Sequence, residues 1–170
     1  MEKKTGKHPI EELDDMLRTL QEKEIIQNCM VQKFQKLFRE KGPPSSVIRN
    51  FPYPIAVFDQ DGDLVFVNSA LSDETGLYTT DLSRSKHSIF NRITDENLRI
   101  LDAVENVFMD KTTFLADLSD PLDIFMNDNS GEKISSSEYR EAFFLPVVKD
   151  KGQTTLGAVI FMKHGSIKTE

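Results

Sequence analysis

Three aspartates at alternating positions form the pattern in this 170-residue chain that comes nearest to a chemical site. Asp59, Asp61 and Asp63 surround Gly62, and alternating carboxylates of this kind are typical of a calcium-binding loop. No glutamate follows at the position that would complete such a loop, and the flanking residues are those of strands rather than helices. We therefore interpret the segment as the turn of a β-hairpin.

The other residues that could do chemistry stand alone in the sequence. Cys29 has no neighbouring histidine or glycine-rich turn, so we predict a packed or idle thiol rather than a nucleophile. His87 lies in a polar segment, where a lone histidine is usually a surface residue. The chain has no glycine-rich phosphate loop and no motif that joins serine, histidine and aspartate. We predict that it is not an enzyme.

Composition narrows the class of protein and its partners. Hydrophobic content of 38% and charged content of 29% are typical of a globular protein, and no apolar run reaches the ~20 residues that span a bilayer. One cysteine fits a reducing compartment, so we expect a cytoplasmic protein with no membrane contact. Residues 1–50 carry 10 Lys and Arg against 8 Asp and Glu, while residues 51–170 carry 11 against 20. An acidic domain repels phosphate backbones, so we predict no nucleic-acid partner.

The elements that position these residues begin with a long helix over residues 10–42, preceded by Pro9 and ended by glycine and prolines. Apolar residues recur in it at alternating spacings of three and four, with Glu24 and Gln27 on the same seam between the two apolar halves. The pattern predicts a helix-to-helix contact, most simply a parallel dimer; the alternative is a surface helix that covers the following domain. The seam residues that we predict for dimerisation or docking are Leu13, Leu17, Leu20, Val31, Phe34 and Phe38.

The rest of the chain predicts two strands, several helices and three more strands. The first hairpin comprises residues 55–58 and 64–67, and Asn68 then caps a short helix that ends near Gly76. Pro146 within a strand predicts an edge strand or a bulge. The later predicted elements are a helix over 95–119, broken around 110–112, a turn over 127–131, and strands over 122–126, 138–148 and 154–163.

This order predicts one domain with an extension. The predicted divisions are a tail over 1–9, the helix over 10–42, a linker over 43–50, the domain over 51–164 and a tail over 165–170. Five antiparallel strands interrupted by helices make an α+β sheet that curls around those helices and leaves a cavity on one face.

Several short motifs follow one another along about two thirds of the chain. They are the strand ending in Asp59, the Asp61-Gly62 turn, the strand closed by Asn68, Thr75-Gly76 with Leu82, and a turn at 149–152 before a strand with Leu156-Gly157. In these features residues 51–163 resemble a PAS domain, a small sensor module of signalling proteins. The sequence departs from the family at Leu71, where an aromatic residue is common, and at Leu77, where tyrosine is frequent.

The resemblance implies a PAS-like five-stranded antiparallel sheet with a helical insert on one face, here preceded by the long N-terminal helix. It also implies that the two faces of the first hairpin have different surroundings. The ligand-pocket candidates on the inner side are Ala56, Phe58, Val65, Val67, Asn68 and Phe108. The outward-facing residues are Ile55, Val57, Leu64 and Phe66. An outer face this apolar needs a cover, and we expect the second half of the helix, from the same chain or a partner, to contact Val57 and Phe66.

Cofactor expectations follow from the same resemblance. Haem-binding members carry a histidine on the helix that corresponds to 95–119, which has none here, so His87 is the remaining haem alternative. Flavin and coumaric-acid photosensors need a cysteine inside the domain, Cys29 lies outside it, and no tryptophan is present for flavin redox chemistry. We predict no haem, flavin or metal. A small organic ligand stays open, since twelve phenylalanines could either line a cavity or fill it.

These expectations favour a signal-transduction sensor or regulatory module that dimerises through its N-terminal helix, with a small non-covalent ligand as an option. The alternative is a ligand-free interaction or assembly module, or a fragment of a larger sensor kinase or transcriptional regulator. The expected partners are a second copy of the chain and a downstream signalling protein or effector domain.

Overall fold

A computed structural model describes residues 9–41, 46–90, 95–126 and 138–163. Residues 1–8 and 165–170 of the predicted tails, the turn at 127–131 and the first three residues of the linker predicted over 43–50 lie outside these residues. The elements in chain order are α1 (Pro9–Lys41), α2 (Ser46–Arg49), β1 (Ile55–Asp59), β2 (Leu64–Val67), α3 (Ser69–Thr75), α4 (Thr79–Leu82), a 3-10 turn (Asp95–Asn97), α5 (Leu98–Phe108), β3 (Thr113–Leu115), a second 3-10 turn (Pro121–Phe125), β4 (Tyr139–Asp150) and β5 (Gln153–Lys163).

The strands form one antiparallel sheet in the order β2-β1-β5-β4-β3. The α+β fold that the resemblance implies, with helices inserted between the two strand groups and a long helix before them, is therefore confirmed. Each face of the sheet carries its own buried apolar cluster. We call the cluster on the α5 side the inner cluster and the cluster on the α1 side the outer cluster.

The first hairpin turns where the three aspartates lie. Asp59 Oδ1 accepts hydrogen bonds from the backbone N–H groups of Asp61 (2.9 Å) and Asp63 (3.0 Å). Gly62 has φ +79°, and a Cβ there would lie 2.3 Å from the ring of Phe90, so only glycine fits. The turn interpretation is confirmed.

The helix that follows β2 is capped at both ends as the sequence predicts. Asn68 is its N-cap, and its side chain accepts a hydrogen bond from the Leu71 N–H. Gly76 ends it in the left-handed conformation (φ 74°) and donates its N–H to the Ser72 carbonyl.

Two predictions for the middle of the chain are wrong. The helix predicted over 95–119 is interrupted at the expected place, around 110–112, but it does not continue beyond it: α5 ends at Phe108, because Asp110 adopts a left-handed conformation (φ 61°) that closes the last turn. Residues beyond this point include the β-branched and aromatic pair Thr113 and Phe114, and they form β3 against β4. The strand predicted over 122–126 is instead a 3-10 turn that Pro121 begins. The sheet keeps five strands, but its third strand lies earlier in the sequence than predicted.

The prediction of a bulge at Pro146 is confirmed. The register of β4 against β5 shifts between Pro146 and Val148. Beside Pro146 the other neighbour of β4 has already ended, since β3 pairs only with residues 142–144. A proline without an N–H group is therefore tolerated at this position.

Candidate functional site

The second half of α1 lies across the outer face of the sheet. Phe34 and Phe38 are 6% and 2% exposed and belong to the same buried cluster as Val57 and Phe66. The Phe34 ring also meets Phe51 edge-on, with centroids 4.9 Å apart. The structure thus brings together four of the predicted docking residues, and the helix that covers the sheet comes from the same chain.

A hydrogen bond fixes the position of α1 along β4. Gln35 Nε2 donates to the Pro146 carbonyl at 2.9 Å, beside the bulge. Next to this contact is an open cleft of about 440 Å³, whose lining includes Phe38, Arg39 and Lys149. Lys149 also forms a 2.7 Å ion pair with Asp110, which joins the segment after α5 to β4 beside this cleft.

The first half of the same helix has a different environment. Leu13 and Leu17 are 57% and 50% exposed, and Ile10 and Met16 are exposed as well. Three of them repeat at helical spacing and form an apolar stripe, which we call the free stripe: Leu13, Met16 and Leu17. The structure does not describe the side chains of Leu20 and Val31.

The inner cluster is closely packed around Phe58. Its ring lies edge-on to Phe108, with centroids 5.9 Å apart. It also approaches β5 so closely that a Cβ on Gly157 would lie 2.7 Å from the ring and 2.6 Å from Val107 Cγ1. Ala56 and Val67, at 0% and 3% exposure, pack in the same cluster. Four pocket candidates therefore share one face, but their side chains fill the space between the sheet and α5 at this point.

The prediction of which face of the sheet each residue of β2 occupies is right for two residues and wrong for two. Phe66 faces outward and Val67 inward, as expected, but Leu64 packs in the inner cluster and Val65 is 41% exposed. The cause is a β-bulge: Val57 pairs with Phe66 and Phe58 pairs with Leu64, which leaves Val65 as the additional residue on β2. One extra residue reverses the alternation before it, so Val65 does not line the inner face.

The side chain of Asn68 forms hydrogen bonds with backbone groups and does not line an open pocket. Its Oδ1 accepts hydrogen bonds from the Ile55 N–H (2.9 Å) and the Leu71 N–H (3.1 Å). Its Nδ2 donates to the carbonyls of Tyr53 (2.8 Å) and Phe51 (3.3 Å). Both hydrogens and both acceptor directions of the buried amide are used, so none is left for a ligand. The sequence signal for this role was its position directly after a strand and before a helix.

The side chain of a lysine lies beside the acidic turn. The carboxylates of Asp59, Asp61 and Asp63 offer oxygen atoms within 4.8 Å of one another. Lys86 Nζ lies 3.1 Å from Asp63 Oδ2, and this hydrogen bond and charge attraction raise the pKa of Lys86 above its ordinary value. His87 lies next to this lysine; its carbonyl accepts the Leu64 N–H and its Nε2 lies 3.1 Å from Ser85 Oγ. The segment closes the free edge of β2.

Among known proteins, the chain is similar to solved structures only. No family model and no curated protein matches the chain. A sensory box sensor histidine kinase from Vibrio cholerae is similar over 80% of this chain and 95% of that one, with 9% identity and a TM-score of 0.46. A PAS domain of an HTR-like protein from Haloarcula marismortui is similar over 69% and 91%, with 18% identity and a TM-score of 0.46. The five-stranded antiparallel sheet of this chain, with its helical insert, is the arrangement that the sequence resemblance implies.

None of the described helices is long and apolar enough to cross a membrane.

Proposed function

We propose that this chain is a signal-transduction module of the PAS type that self-associates through the first half of α1. The observation that carries the proposal is the division of one helix into two environments. Phe38 is 2% exposed against the sheet, whereas Leu13 on the same helix is 57% exposed. An apolar stripe that continues beyond the domain it covers is typical of a helix with a second partner.

The length of α1 supports the proposal. Its 33 residues extend for about 50 Å at 1.5 Å per residue, and only its second half has buried side chains among the described residues. The first half therefore offers several helical turns to another molecule while the second half holds the domain. A second copy of the chain brings an identical stripe, and symmetric pairing is the commonest form of self-association.

The sheet provides a physical route from the domain interior to this helix. Consecutive residues of β1 belong to opposite clusters: Ala56 and Phe58 to the inner one, Val57 to the outer one. A change in packing around Phe58 displaces the strand that also supplies Val57 to the cluster beneath Phe34 and Phe38, because close-packed interiors transmit displacement. We propose that α1 carries such changes to the dimer, and through it to a downstream signalling protein or effector domain.

A ligand-free assembly module is the second candidate, and the packing at Gly157 favours it. The ring of Phe58 and Val107 leave no room for one additional carbon at the centre of the sheet. A small organic ligand at this point of the inner cluster would have to displace these side chains. In neither candidate does the module need a haem, flavin or metal, and its acidic charge disfavours a nucleic-acid partner.

Size-exclusion chromatography with light scattering on the whole chain tests the proposal. We expect a dimer for the natural sequence and a monomer for the Leu13→Asp, Leu17→Asp double variant, since charges placed on the free stripe oppose its burial. The matched control is Asp14→Asn with Arg18→Gln, which changes two exposed polar neighbours and leaves the stripe intact. A monomeric natural chain across the accessible concentration range would refute self-association.

Native mass spectrometry of freshly purified protein separates the two candidates. A small molecule retained across independent preparations supports the ligand-binding module. Protein of unmodified mass in every preparation supports the assembly module.

A further inference from the structure

The cleft beside Gln35 and Pro146 has walls from two elements that lie far apart in the sequence. Its volume is about 440 Å³, which is within the range of roughly 300 to 1,000 Å³ that small-molecule sites occupy. We call it the α1–β4 cleft, and its lining residues are Gln35, Phe38, Arg39, Pro146, Val147, Val148 and Lys149. A molecule bound there contacts the covering helix and the sheet at the same time.

The β4 wall of this cleft consists of consecutive residues, from Pro146 to Lys149. Side chains of a regular strand alternate between its faces, so consecutive residues border the same cleft at a bulge or at an open edge. The strand has both features here, because its register shifts after Pro146 and β3 pairs with it only as far as Phe144. On the other wall, the hydrogen bond from Gln35 to the Pro146 carbonyl holds α1 against this edge.

Two cations border the α1–β4 cleft in a chain whose net charge is -7. Arg39 is exposed and forms no hydrogen bond or ion pair with any residue that the structure describes. Lys149 forms its 2.7 Å ion pair with Asp110 between side chains that are 49% and 59% exposed. Exposed pairs of this kind are weak in water, so Lys149 is able to share its charge with a second anion. The guanidinium of Arg39 offers a planar fork of donors, which matches a carboxylate.

The rest of the lining is apolar apart from Gln35. Phe38 and Val147 are 2% and 7% exposed and belong to the outer cluster, so they form the floor of the cleft. The carboxylate of Asp110 beside Lys149 repels a ligand that carries several negative charges. A ligand that fits this lining therefore has one negative charge and an apolar body.

We infer that the α1–β4 cleft binds a small organic monocarboxylate, with the carboxylate on the guanidinium of Arg39 and the apolar body on Phe38 and Val147. Such a ligand stabilises the docked position of α1, because the complete site exists only while helix and sheet are together. It lies on the face of the sheet opposite the inner cluster and needs no displacement of Phe58. The inference does not depend on self-association, since no residue of the free stripe lines the cleft.

A nuclear magnetic resonance titration of the whole chain with phenylacetate tests the inference. We expect the backbone amides of Val147, Val148 and Lys149 to shift with a dissociation constant below about 1 mM. Phenylacetamide has the same ring without the charge and should bind at least about tenfold more weakly. Inorganic phosphate should not compete. Equal affinities for phenylacetate and phenylacetamide would overturn recognition of the carboxylate, and effective competition by phosphate would overturn the preference for an apolar body.

Variants of the two walls locate the site. Arg39→Gln should weaken phenylacetate binding at least about tenfold and leave the melting temperature unchanged, because the side chain is exposed and has no described partner. The matched control is Lys36→Gln, which removes an exposed cation of the same helix that does not line the cleft and should change the affinity by less than about twofold. Lys149→Gln should weaken binding less than Arg39→Gln does. Equal affinities of Arg39→Gln and the natural chain would overturn the inference, as would no binding of phenylacetate, benzoate or octanoate up to about 10 mM.

The same titration on the Leu13→Asp, Leu17→Asp double variant separates this inference from the proposed self-association. We expect the double variant to bind phenylacetate with the affinity of the natural chain. Absence of binding in both chains would refute the carboxylate site and leave self-association standing. A natural chain that is monomeric and still binds phenylacetate through Arg39 would refute self-association and support the site.

Discussion

Removing the ring of Phe38 tests the contact between α1 and the sheet. Phe38 is 2% exposed and packs in the outer cluster, and Phe→Ala changes in protein cores cost about 3 to 5 kcal/mol. The ring also borders the 440 Å³ cleft, where water and neighbouring side chains can fill part of the space left behind. We therefore expect Phe38→Ala to lower the free energy of unfolding by about 3 kcal/mol. For a chain of this length that corresponds to a melting temperature lower by about 6 to 12 °C.

The assay is thermal and urea denaturation at low protein concentration, followed by circular dichroism. The matched control is Gln32→Ala, an exposed position on the same helix, which should shift the melting temperature by no more than about 2 °C. Tryptic cleavage within α1 should become faster only in Phe38→Ala, since a helix released from the sheet unfolds more readily and presents its backbone at Lys33 and Arg39 to the protease. Equal melting temperatures and equal cleavage rates for the two variants would refute the conclusion that Phe38 anchors the helix.

Three further perturbations have definite expected outcomes. Gly157→Ala should destabilise the protein by about 1 to 3 kcal/mol in urea denaturation, because the added Cβ meets the Phe58 ring. Adding Phe58→Leu to the same chain should recover part of this loss. An unchanged stability of Gly157→Ala would mean that the inner cluster has spare volume. Asp110→Gly should leave the free energy of unfolding nearly unchanged, whereas Asp110→Val should lower it by about 1 to 2 kcal/mol, because residue 110 is in the left-handed conformation. Equal melting curves for the two variants would contradict that conformation. Leu64→Ala should cost about 2 kcal/mol or more and Val65→Ala less than about 1 kcal/mol; the reverse order would indicate a hairpin without the bulge.

The hairpin that begins the domain shows how far sequence reasoning reaches. Alternation along β1 correctly assigns Ala56 and Phe58 to one face and Val57 to the other, since a regular strand has a period of two. The apolar outer face also led to the expectation that a helix must cover it, and α1 does so. Both conclusions depend on local pattern and on the cost of exposing apolar surface.

The errors arise where distant contacts decide the local structure. The bulge at Val65 depends on the pairing of β2 with β1, and the residue types in Leu64–Val67 do not predict it. Residues 113–115 form a strand because β4, some thirty residues later, offers them an edge. Apolar spacing alone could not distinguish that strand from a further turn of helix.

The candidate site was predictable in part for the same reason. The stripe on α1 could be read from spacing within one helix. Spacing could not show which half of that stripe the sheet would cover, because this depends on where β4 lies after folding. The four hydrogen bonds of Asn68 likewise involve backbone groups from three segments, and only its capping contact with Leu71 is local.

The contact between Gln35 and Pro146 joins residues 111 positions apart, and this separation bears on how the chain is made. During synthesis α1 leaves the ribosome before β4, which supplies the other side of this contact. At about 5 to 20 residues per second, roughly 5 to 20 s pass before the covering surface exists. Throughout that interval the whole apolar seam of the helix is available to another nascent chain on the same message. The self-association proposed above can therefore precede completion of the domain, and the order of translation would favour assembly between neighbouring ribosomes.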